Sequence, residues 1–345
     1  MKALTLAAHG GPEQLKVQEL PQPTVTSPNQ VLVRMRTAAL NRLDLLIAAG
    51  LPGSALQFPH VVGSDGAGLV EQTGAGVRRF RAGDRVMINP TLSCGDCPAC
   101  GEGEHSLCAR LRVLGEHCAG TTAEFVVVPE ENLAPIPSAM PWPQAAAFSL
   151  ATLTAWRMLV TRARLDPGET VLIWGIGGGV SIAALQIAKL VGARAIVTSG
   201  SDAKLEVARG LGADVGFNHR TADVVAEVKR HTGGRGADVV VDSVGEQTWT
   251  GSLRAVRRGG RVVVCGATTG PMVDLDLRRL FWHQWSILGS TLGNRHEYAE
   301  IVRHAGEGRL WPVVDRVVPL AAGADAFERL QRGDQLGKLV IEVAQ

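Results

Sequence analysis

The sequence predicts an α/β protein in which a β-rich domain accompanies a doubly wound parallel sheet of six strands. A length of 345 residues is sufficient for two domains. Residues 1–135 contain short apolar or alternating runs separated by Gly, Pro and Asn, a pattern typical of β-structure. Between residues 167 and 289, apolar runs instead alternate with helical patterns, which indicates a parallel sheet. These six runs open at Val171, Ala195, Val215, Val239, Arg261 and Ser286.

The β-rich part of the chain is expected to be discontinuous. Its strands are predicted over residues 31–35, 68–71, 85–88 and 123–128, with a helix or helical turn over residues 38–49. Residues 339–343, after Gly337, read as a strand that returns to this first domain. We therefore expect one domain from residues 1–150 and 291–345, and a second domain from residues 151–290.

A glycine-rich turn opens the second domain. Val171–Trp174 reads as a buried strand, Gly175-Ile176-Gly177-Gly178-Gly179 follows it, and apolar residues then recur at helical spacing until Gly192. Strand, glycine turn and helix in this order are typical of a dinucleotide-binding site, because the backbone can approach a pyrophosphate at the helix N-terminus. Val180 stands where a third glycine is expected, which predicts a slightly wider helix–strand approach. The alternative is a glycine turn that binds nothing.

The end of the second strand indicates which dinucleotide is bound. NAD-specific sites carry an Asp or Glu there, whereas this chain has Ser199 and Ser201, with Lys204 beyond them. Small hydroxyls and a nearby cation suit a 2′-phosphate, and His219 and Arg220 could add charge. NADP(H) is therefore favoured, with NAD still possible. The alternative is that these residues form only a solvated turn and helix face.

Composition excludes several classes of protein. The chain is 46% hydrophobic and 20% charged with a net charge of +2, which predicts neither nucleic-acid nor membrane binding. Its first residues show no apolar signal region, and no run of eighteen apolar residues occurs. Six cysteines without an export signal indicate thiols or metal ligands rather than disulfides. We therefore expect a cytoplasmic protein.

Four of the cysteines form a metal-binding pattern. Cys94, Cys97, Cys100 and Cys108 give C-x2-C-x2-C-x7-C in a loop rich in Gly and Pro. Four thiolates at this spacing can surround one Zn²⁺ and leave no open position, which predicts one structural zinc ion per chain. An iron–sulfur cluster is disfavoured because the fourth spacing differs from the ferredoxin run and no Pro follows it. Reduced cysteines without a ligand are the other alternative.

The chain resembles the medium-chain dehydrogenase/reductase superfamily, which contains the zinc alcohol dehydrogenases and the quinone reductases. The resemblance extends over nearly the whole length. It rests on AALNRLD, HVVGSDGAGLVEQTGAGVRRFRAGDRV, the four-cysteine loop, GTTAEFVVVP, the glycine turn, VVVDSVG and GKLVIEV. It implies a GroES-like catalytic domain built from both chain ends, an inserted Rossmann domain and a nicotinamide cofactor in the cleft. It also implies a small-molecule substrate and a homodimer or homotetramer.

The departures from this family concern the catalytic zinc. In the zinc-dependent alcohol dehydrogenases a Cys, a His and a second Cys hold that ion, and the matching positions here carry Asn41, Ser64 and Leu150. Asn and Ser are poor zinc ligands, and Leu cannot bind zinc. Leu43 stands where the family's proton relay begins. The resemblance therefore implies hydride transfer without a catalytic metal, as in the quinone and enone reductases of the superfamily.

Two of these residues are candidates for the chemistry. Asn41 could hydrogen-bond the carbonyl group of an acceptor or a group of the cofactor, and Ser64 could donate a proton to the developing oxyanion. Solvent is the alternative proton donor. Asn41 could instead cap the following helix, and Ser64 could only fill the space of the missing zinc.

The resemblance also assigns cofactor contacts by position. Gly177, Gly178, Gly179 and Val180 are expected at the pyrophosphate, and Arg42 is either a further pyrophosphate-binding cation or a solvated helix residue. Thr154 and residues 288–290, including Leu288 and Ser290, are expected near the nicotinamide. Val244 and Gly245 are expected at the adenosine edge or ring, and Gly266 and Ala267 at the nicotinamide carboxamide.

These expectations lead to three functional hypotheses. The first is an NADPH-dependent oxidoreductase that transfers hydride to a conjugated carbonyl or quinone without catalytic zinc. The second is a zinc-type alcohol dehydrogenase acting on alcohols or aldehydes. The third is a member that binds NADPH without catalysing a reaction.

Overall fold

The computed structural model of the chain describes residues 1–344 and divides into two compact units. Unit 1 comprises residues 1–151 together with the chain from residue 293 onward, and unit 2 comprises Thr152–Leu292. Among residues 1–344, none of the helices has the length and apolar composition that crossing a membrane requires.

The first part of unit 1 is mostly β-structure. Its strands are β1 (Lys2–Leu6), β2 (Leu15–Glu19), β3 (Gln30–Ala39), β4 (His60–Val61), β5 (Asp65–Thr73), β6 (Arg85–Ile88), β7 (Thr91–Leu92), β8 (Arg112–Val113), β9 (Phe125–Pro129) and β10 (Leu133–Pro135). Its helices are α1 (Arg42–Ala48), the short α2 (Pro98–Gly101) and α3 (Trp142–Trp156), which continues into unit 2.

Unit 2 alternates strands with helices. The strands are β11 (Thr170–Ile173), β12 (Arg194–Ser199), β13 (Val215–Asn218), β14 (Ala237–Asp242), β15 (Val256–Val264) and β16 (Ser286–Gly289). The helices are α4 (Gly179–Val191), α5 (Asp202–Gly210), α6 (Val224–His231), α7 (Glu246–Ala255) and α8 (Leu277–His283). The chain then returns to unit 1 with α9 (Arg295–Gly306), β17 (Val314–Pro319), α10 (Gly323–Arg332) and β18 (Lys338–Glu342).

The C-terminal strand is inserted into the main sheet of unit 1. The strand order there is β10-β6-β5-β3-β18-β17, and β9 also pairs with β3. β18 runs antiparallel to β3 with Val340 opposite Ala39, and the Leu40 N–H donates to the Leu339 carbonyl at 2.9 Å. This register places Lys338, the first residue of β18, beside the segment that leads into α1. The sheet therefore joins residues that are almost 300 positions apart in sequence.

The helix predicted over residues 38–49 is too long at its start. Ala38 and Ala39 belong to β3, where they pair with both β5 and β18, and both residues are fully buried. α1 begins only at Arg42, because Asn41 adopts extended backbone angles at the N-cap position. Pairing on both sides of β3 therefore outweighs the helical preference of the two alanines.

The six strands of unit 2, all within residues 170–289, form one parallel sheet. Their order is β13-β12-β11-β14-β15-β16, the doubly wound arrangement that the alternating pattern predicts. α4 ends at Gly192, whose φ of +88° permits the left-handed cap that closes the helix. The predicted fold class is therefore confirmed. Because all the strands are parallel, their carboxyl ends share one edge, where ligands bind in folds of this type.

Candidate active site and zinc centre

The four-cysteine loop brings its sulfur atoms together. The Sγ atoms of Cys94, Cys97, Cys100 and Cys108 all lie within 4.8 Å of one another. Individual separations are 3.4 Å for Cys94–Cys108, 3.5 Å for Cys97–Cys100 and 3.8 Å for Cys94–Cys100. Four sulfurs at about 2.3 Å from a tetrahedral Zn²⁺ would lie about 3.8 Å apart. The cluster therefore fits a structural zinc ion.

Main-chain groups support the same cluster. The N–H groups of Cys94 and Arg110 donate to the Cys108 sulfur at 3.4 and 3.3 Å, which favours the thiolate that binds a metal. Cys100 and Cys108 are buried. Four sulfur ligands also complete the tetrahedral coordination of zinc, so no position is left for a substrate. These cysteines would hold the loop in place and would not take part in hydride transfer.

A second buried polar cluster lies at the start of α1. The Lys338 ammonium donates to the Asn41 Oδ1 atom and, at 2.9 Å, to the Asp65 Oδ2 atom. The Asn41 Nδ2 atom donates to the same carboxylate oxygen at 3.0 Å. Lys338 and Asp65 are 3% and 0% exposed, so their charges are removed from water and must neutralise each other. The three side chains form a closed triad.

Each of the three positions assigned to catalytic zinc ligands belongs to this triad or is joined to Asp65. Asn41 belongs to it, the Leu150 N–H donates to Asp65 Oδ1 at 2.7 Å, and Ser64 precedes Asp65 in sequence. The hydroxyl of Ser64 is fully buried, and its Oγ atom has no hydrogen-bond partner among residues 1–344. Asp65 is therefore the residue that links all three positions.

This donor set does not fit a catalytic zinc ion. An amide oxygen already bound to an ammonium, a single hydroxyl and an aliphatic side chain offer no strong ligand. Among residues 1–344, the four-cysteine loop is the only group of three or more His, Cys, Asp or Glu side chains with ligand atoms close enough to share an ion.

Asp44 lies against the same cluster and caps α1. Its two carboxylate oxygens accept the main-chain N–H groups of Asn41 at 2.6 Å and Gly63 at 3.2 Å. Asn41 thus occupies the N-cap position, while its amide group is held by Asp65 and Lys338. Burial raises the pKa of Asp44 to about 7, against the lowering effect of the Asn41 N–H and Lys338. The Asp44 carboxyl therefore changes charge near neutral pH.

The glycine turn of unit 2 has the shape of a phosphate-binding loop. Gly175 and Gly177 have φ angles of +67° and +139°, which side chains rarely adopt. Gly178 is the N-cap of α4, and Gly179 and Val180 form its first turn with N–H groups directed out of the helix start. The Ser181 hydroxyl donates to the Gly175 and Gly178 carbonyls at 3.1 and 3.0 Å and fixes the turn. The residues present therefore fit a pyrophosphate.

Basic side chains collect beside the end of β12. A Cβ atom built on Gly200 would lie 2.7 Å from Arg220 Nε and 3.2 Å from His219 Nε2, so both side chains lie across this glycine. A Cβ built on Gly177 would lie 3.5 Å from Lys204 Nζ. Burial, and then the charge of Arg220, lower the pKa of His219. Because Gly200 has no side chain, it leaves space for the Arg220 guanidinium at the end of β12.

Polar groups at this strand end are partly engaged with one another. The Ser201 N–H donates to the Ser199 hydroxyl at 3.2 Å, and Ser201 is the N-cap of α5. Asp202, a carboxylate near the end of β12, accepts a hydrogen bond from the Asn218 amide at 2.8 Å. The position where an NAD-binding carboxylate would stand is occupied by Ser199, and the nearby Asp202 carboxylate is bound to Asn218.

The remaining predicted cofactor residues of unit 2 lie mostly at the same edge of the sheet. Val244 and Gly245 follow β14, and their N–H groups donate to Asp242 Oδ1 at 2.9 and 3.0 Å. Gly266 and Ala267 follow β15, Leu288 lies in β16 and Ser290 follows it. The Ser290 N–H donates to the Val264 carbonyl at 2.9 Å, whereas its buried Oγ has no partner among residues 1–344.

Two predicted cofactor residues lie elsewhere. Thr154 is buried within α3. Arg42, the first residue of α1 in unit 1, is exposed, and its guanidinium lies near Gly333 at the end of α10. The roles given to all these cofactor residues stay predictions.

Comparison with known proteins gives the family. A model of zinc-binding dehydrogenases matches residues 179–307, and a model of alcohol dehydrogenase GroES-like domains matches residues 27–138. An alcohol dehydrogenase of Geobacillus stearothermophilus is 33% identical over 99% of this chain and 100% of its own length. A quinone oxidoreductase of Rattus norvegicus is 28% identical over 99% of this chain and 97% of its own length.

A solved structure gives the same result. The crystal structure of an NAD-dependent alcohol dehydrogenase is 46% identical to this chain, covers 100% of both chains and superposes with a TM-score of 0.96. The sequence identity over the whole length, the matches to both domain models and the glycine turn all indicate the same family. The chain belongs to the medium-chain dehydrogenase/reductase superfamily and is an NAD(P)H-dependent oxidoreductase.

Proposed function

We propose that this oxidoreductase uses NADPH to reduce a conjugated carbonyl compound or a quinone, without a catalytic zinc ion. The observation that carries the proposal is the buried triad at the expected zinc position. There, the Asn41 amide is hydrogen-bonded to Lys338 and Asp65, and Ser64 and Leu150 offer no strong zinc ligand. The chain matches relatives named as alcohol dehydrogenases and relatives named as quinone oxidoreductases, so these names do not separate the two activities. The residues at the expected zinc position favour the reduction of a conjugated acceptor.

The absence of a strong ligand set restricts the chemistry. Oxidising an alcohol requires a group that lowers the pKa of its hydroxyl, a role that a bound metal ion performs well. A conjugated acceptor needs less electrophilic help, because its double bond already accepts electron density from hydride. NADPH, when bound, supplies that hydride. Asn41 would donate a hydrogen bond to the acceptor's oxygen, and Ser64 or water would provide the proton.

We propose NADP(H) rather than NAD as the cofactor. The support is Ser199 at the end of β12 together with Lys204, His219 and Arg220 around Gly177 and Gly200. A 2′-phosphate is attracted by these cations and would be repelled by the carboxylate that NAD-specific sites carry. The 46% identical structure is named an NAD-dependent alcohol dehydrogenase, so a comparison of kcat/KM with NADPH and with NADH tests this proposal.

Two measurements test the proposed function. Metal analysis of the purified protein is expected to give one zinc per chain, and two zinc ions per chain would contradict it. NADPH oxidation is then followed with 1,4-benzoquinone and 2-cyclohexen-1-one, and ethanol oxidation with NADP⁺ serves as the comparison. Turnover with the conjugated acceptors supports the proposal. Tight NADPH binding without turnover would instead indicate a non-enzymatic member.

We also propose a homo-oligomer. β16 is an edge strand of the unit 2 sheet, and the preceding helix α8 carries Phe281 and Trp282, each 67% exposed. Large aromatic side chains beside an unpaired strand edge are typical of protein interfaces. A second copy of the chain would cover both features. Light scattering of the wild-type protein and of a Trp282→Glu variant tests this, since the substitution is expected to yield monomer.

A further inference from the structure

The orientation of the Asn41 amide is dictated by its partners. Lys338 has only donors, so it faces the amide oxygen, and the Asp65 carboxylate accepts, so it faces the amide nitrogen. Reversing the amide would place Nδ2 against the ammonium and Oδ1 against the carboxylate. Both contacts would then be repulsive, which means that the ion pair locks the amide in one orientation.

One hydrogen of this amide is not used within the cluster. The Nδ2 group carries two hydrogens, and Asp65 accepts one of them. Residues 1–344 provide no second acceptor for Nδ2 in the structure. Asn41 is 8% exposed, compared with 3% for Lys338 and 0% for both Asp65 and Ser64. Asn41 is therefore the most exposed of these four buried side chains.

The same contacts make that hydrogen a stronger donor. An ammonium bound to the amide oxygen draws electron density from the amide, and hydrogen bonds in series polarise one another in a buried setting. Such preorganised donors stabilise developing negative charge without reorganising during the reaction. A buried cation that acts through an amide would thus provide part of the electrophilic help that a metal gives in zinc-dependent relatives.

We propose that Lys338 is a positioning residue whose ammonium orients and polarises the Asn41 amide, so that its second N–H binds the carbonyl oxygen of the acceptor. This inference rests on the proposed function. When hydride adds to the conjugated carbon, the electron pair of the double bond moves to the oxygen. The Asn41 N–H stabilises the resulting enolate, and one proton from water completes the reduction.

The kinetic test replaces Lys338 with Met and compares two acceptors. An enone such as 2-cyclohexen-1-one depends on stabilisation of its oxygen, whereas 1,4-benzoquinone is electron-poor enough to need less. Loss of one preorganised donor typically lowers kcat by about 100-fold. We expect a loss of about 100-fold with the enone and under about 10-fold with the quinone, with an unchanged NADPH dissociation constant. Equal losses with both acceptors would overturn the proposal.

The Asn41→Leu variant shows whether Lys338 acts through Asn41. In that background, Lys338→Met is expected to leave the enone-to-quinone ratio of kcat unchanged, because the donor is already gone. Independent, additive losses would contradict the mechanism. Arg329→Met is the matched control, since it breaks another ion pair of unit 1, with Asp315 at 2.9 Å, that does not contact Asn41. This control is expected to keep the wild-type ratio.

A spectroscopic measurement separates this inference from the proposed function. The side-chain amide signals of Asn41 are identified by ¹⁵N-asparagine labelling and by their loss in Asn41→Leu. Lys338→Met is expected to shift them upfield, and cyclohexanone, a ketone that this reaction does not reduce, is expected to shift one of the two hydrogens in the wild type. Absence of both shifts would refute the inference. Absence of turnover with every acceptor would instead refute the proposed function.

A double variant keeps the test valid if the Lys338→Met variant does not fold. Lys338→Met leaves the buried Asp65 carboxylate unpaired, whereas Lys338→Met with Asp65→Asn removes both charges together. The double variant also lacks the polarising ammonium, so the same selective loss with the enone is expected. Circular dichroism and a zinc content of one per chain verify the fold. A folded double variant with the wild-type acceptor ratio would overturn the proposal.

Discussion

Ser199→Asp is expected to reverse the cofactor preference. Ser199 ends β12 and is 4% exposed, and its hydroxyl accepts the Ser201 N–H at 3.2 Å. An aspartate there can accept the same N–H, so the turn should be kept. Its second oxygen would face the adenosine ribose, where it binds the 2′-OH of NADH and repels the 2′-phosphate of NADPH.

The magnitude follows from charge and exposure. Two unit charges about 4 Å apart interact by about 4 kcal/mol at an effective dielectric constant of about 20. The neighbouring residues His219 and Arg220 lie on the surface, which indicates that this site is open to water. Solvent and salt therefore weaken the repulsion between the aspartate and the 2′-phosphate. We therefore expect a loss of about 2.7 kcal/mol, or about 100-fold in kcat/KM with NADPH. A new charged hydrogen bond to the 2′-OH should raise kcat/KM with NADH by about 10-fold.

The assay measures kcat/KM with NADPH and NADH at fixed acceptor and at two salt concentrations. Arg220→Ala is the companion variant, because it removes attraction for the phosphate without adding a partner for the 2′-OH. It should lower kcat/KM with NADPH by about 10-fold, with a smaller loss at high salt, and leave NADH almost unaffected. A wild-type enzyme that prefers NADH, or a Ser199→Asp variant with unaltered preference, would refute the reasoning.

Three other variants test separate parts of the molecule. Cys100→Ser should lose the single zinc ion and unfold at a lower temperature by calorimetry, whereas unchanged zinc content would exclude the cysteine site. Ser64→Ala should raise the unfolding free energy by about 1 kcal/mol, because an unpartnered buried hydroxyl is removed. If Ser64 supplies the proton, kcat should also fall by about 100-fold, while a change under about 2-fold assigns the proton to water. Because the pKa of Asp44 is raised to about 7, its contribution to stability is present below about pH 4 and is lost as pH rises through 7. Asp44→Asn should therefore remove about 3 kcal/mol of the fall in unfolding free energy between pH 4 and pH 7 in urea titrations, and identical pH profiles would contradict the assignment.

The parts of the structure that follow local rules could be predicted from the sequence. The apolar run at the centre of each strand of unit 2 is visible in the sequence, although β15 begins at Val256 and not at Arg261. The four cysteines predict a metal site, because ligands separated by two residues must lie close together. Helix limits were less accurate, as at Ala38 and Ala39, because pairing with distant strands decides them.

The triad beside Asn41 could not be predicted in the same way. Asp65 and Lys338 are 273 residues apart, and the pairing of β3 with both β5 and β18 brings them together. A weak signal was present, since Lys338 opens an otherwise apolar strand of five residues, where a buried cation requires a partner. Nothing in the sequence identified Asp65 as that partner. The position of Arg220 over Gly200 depended likewise on the packing of separate elements.

The charges at the expected zinc position explain why Asn41, Ser64 and Leu150 can occur there together. A Zn²⁺ ion with two thiolates and a neutral histidine adds no net charge, and neither do Asn41, Ser64 and Leu150. The Asp65–Lys338 pair consists of one carboxylate and one ammonium, so it is neutral with either set of residues. A cysteine at position 41 would place a thiol beside the Asp65 carboxylate, and burial together with that negative charge would keep the thiol protonated. It would also deprive the ammonium of its amide partner. Asn41, Asp65 and Lys338 thus depend on one another, because substitution of any one of them leaves a buried polar group of another without its partner.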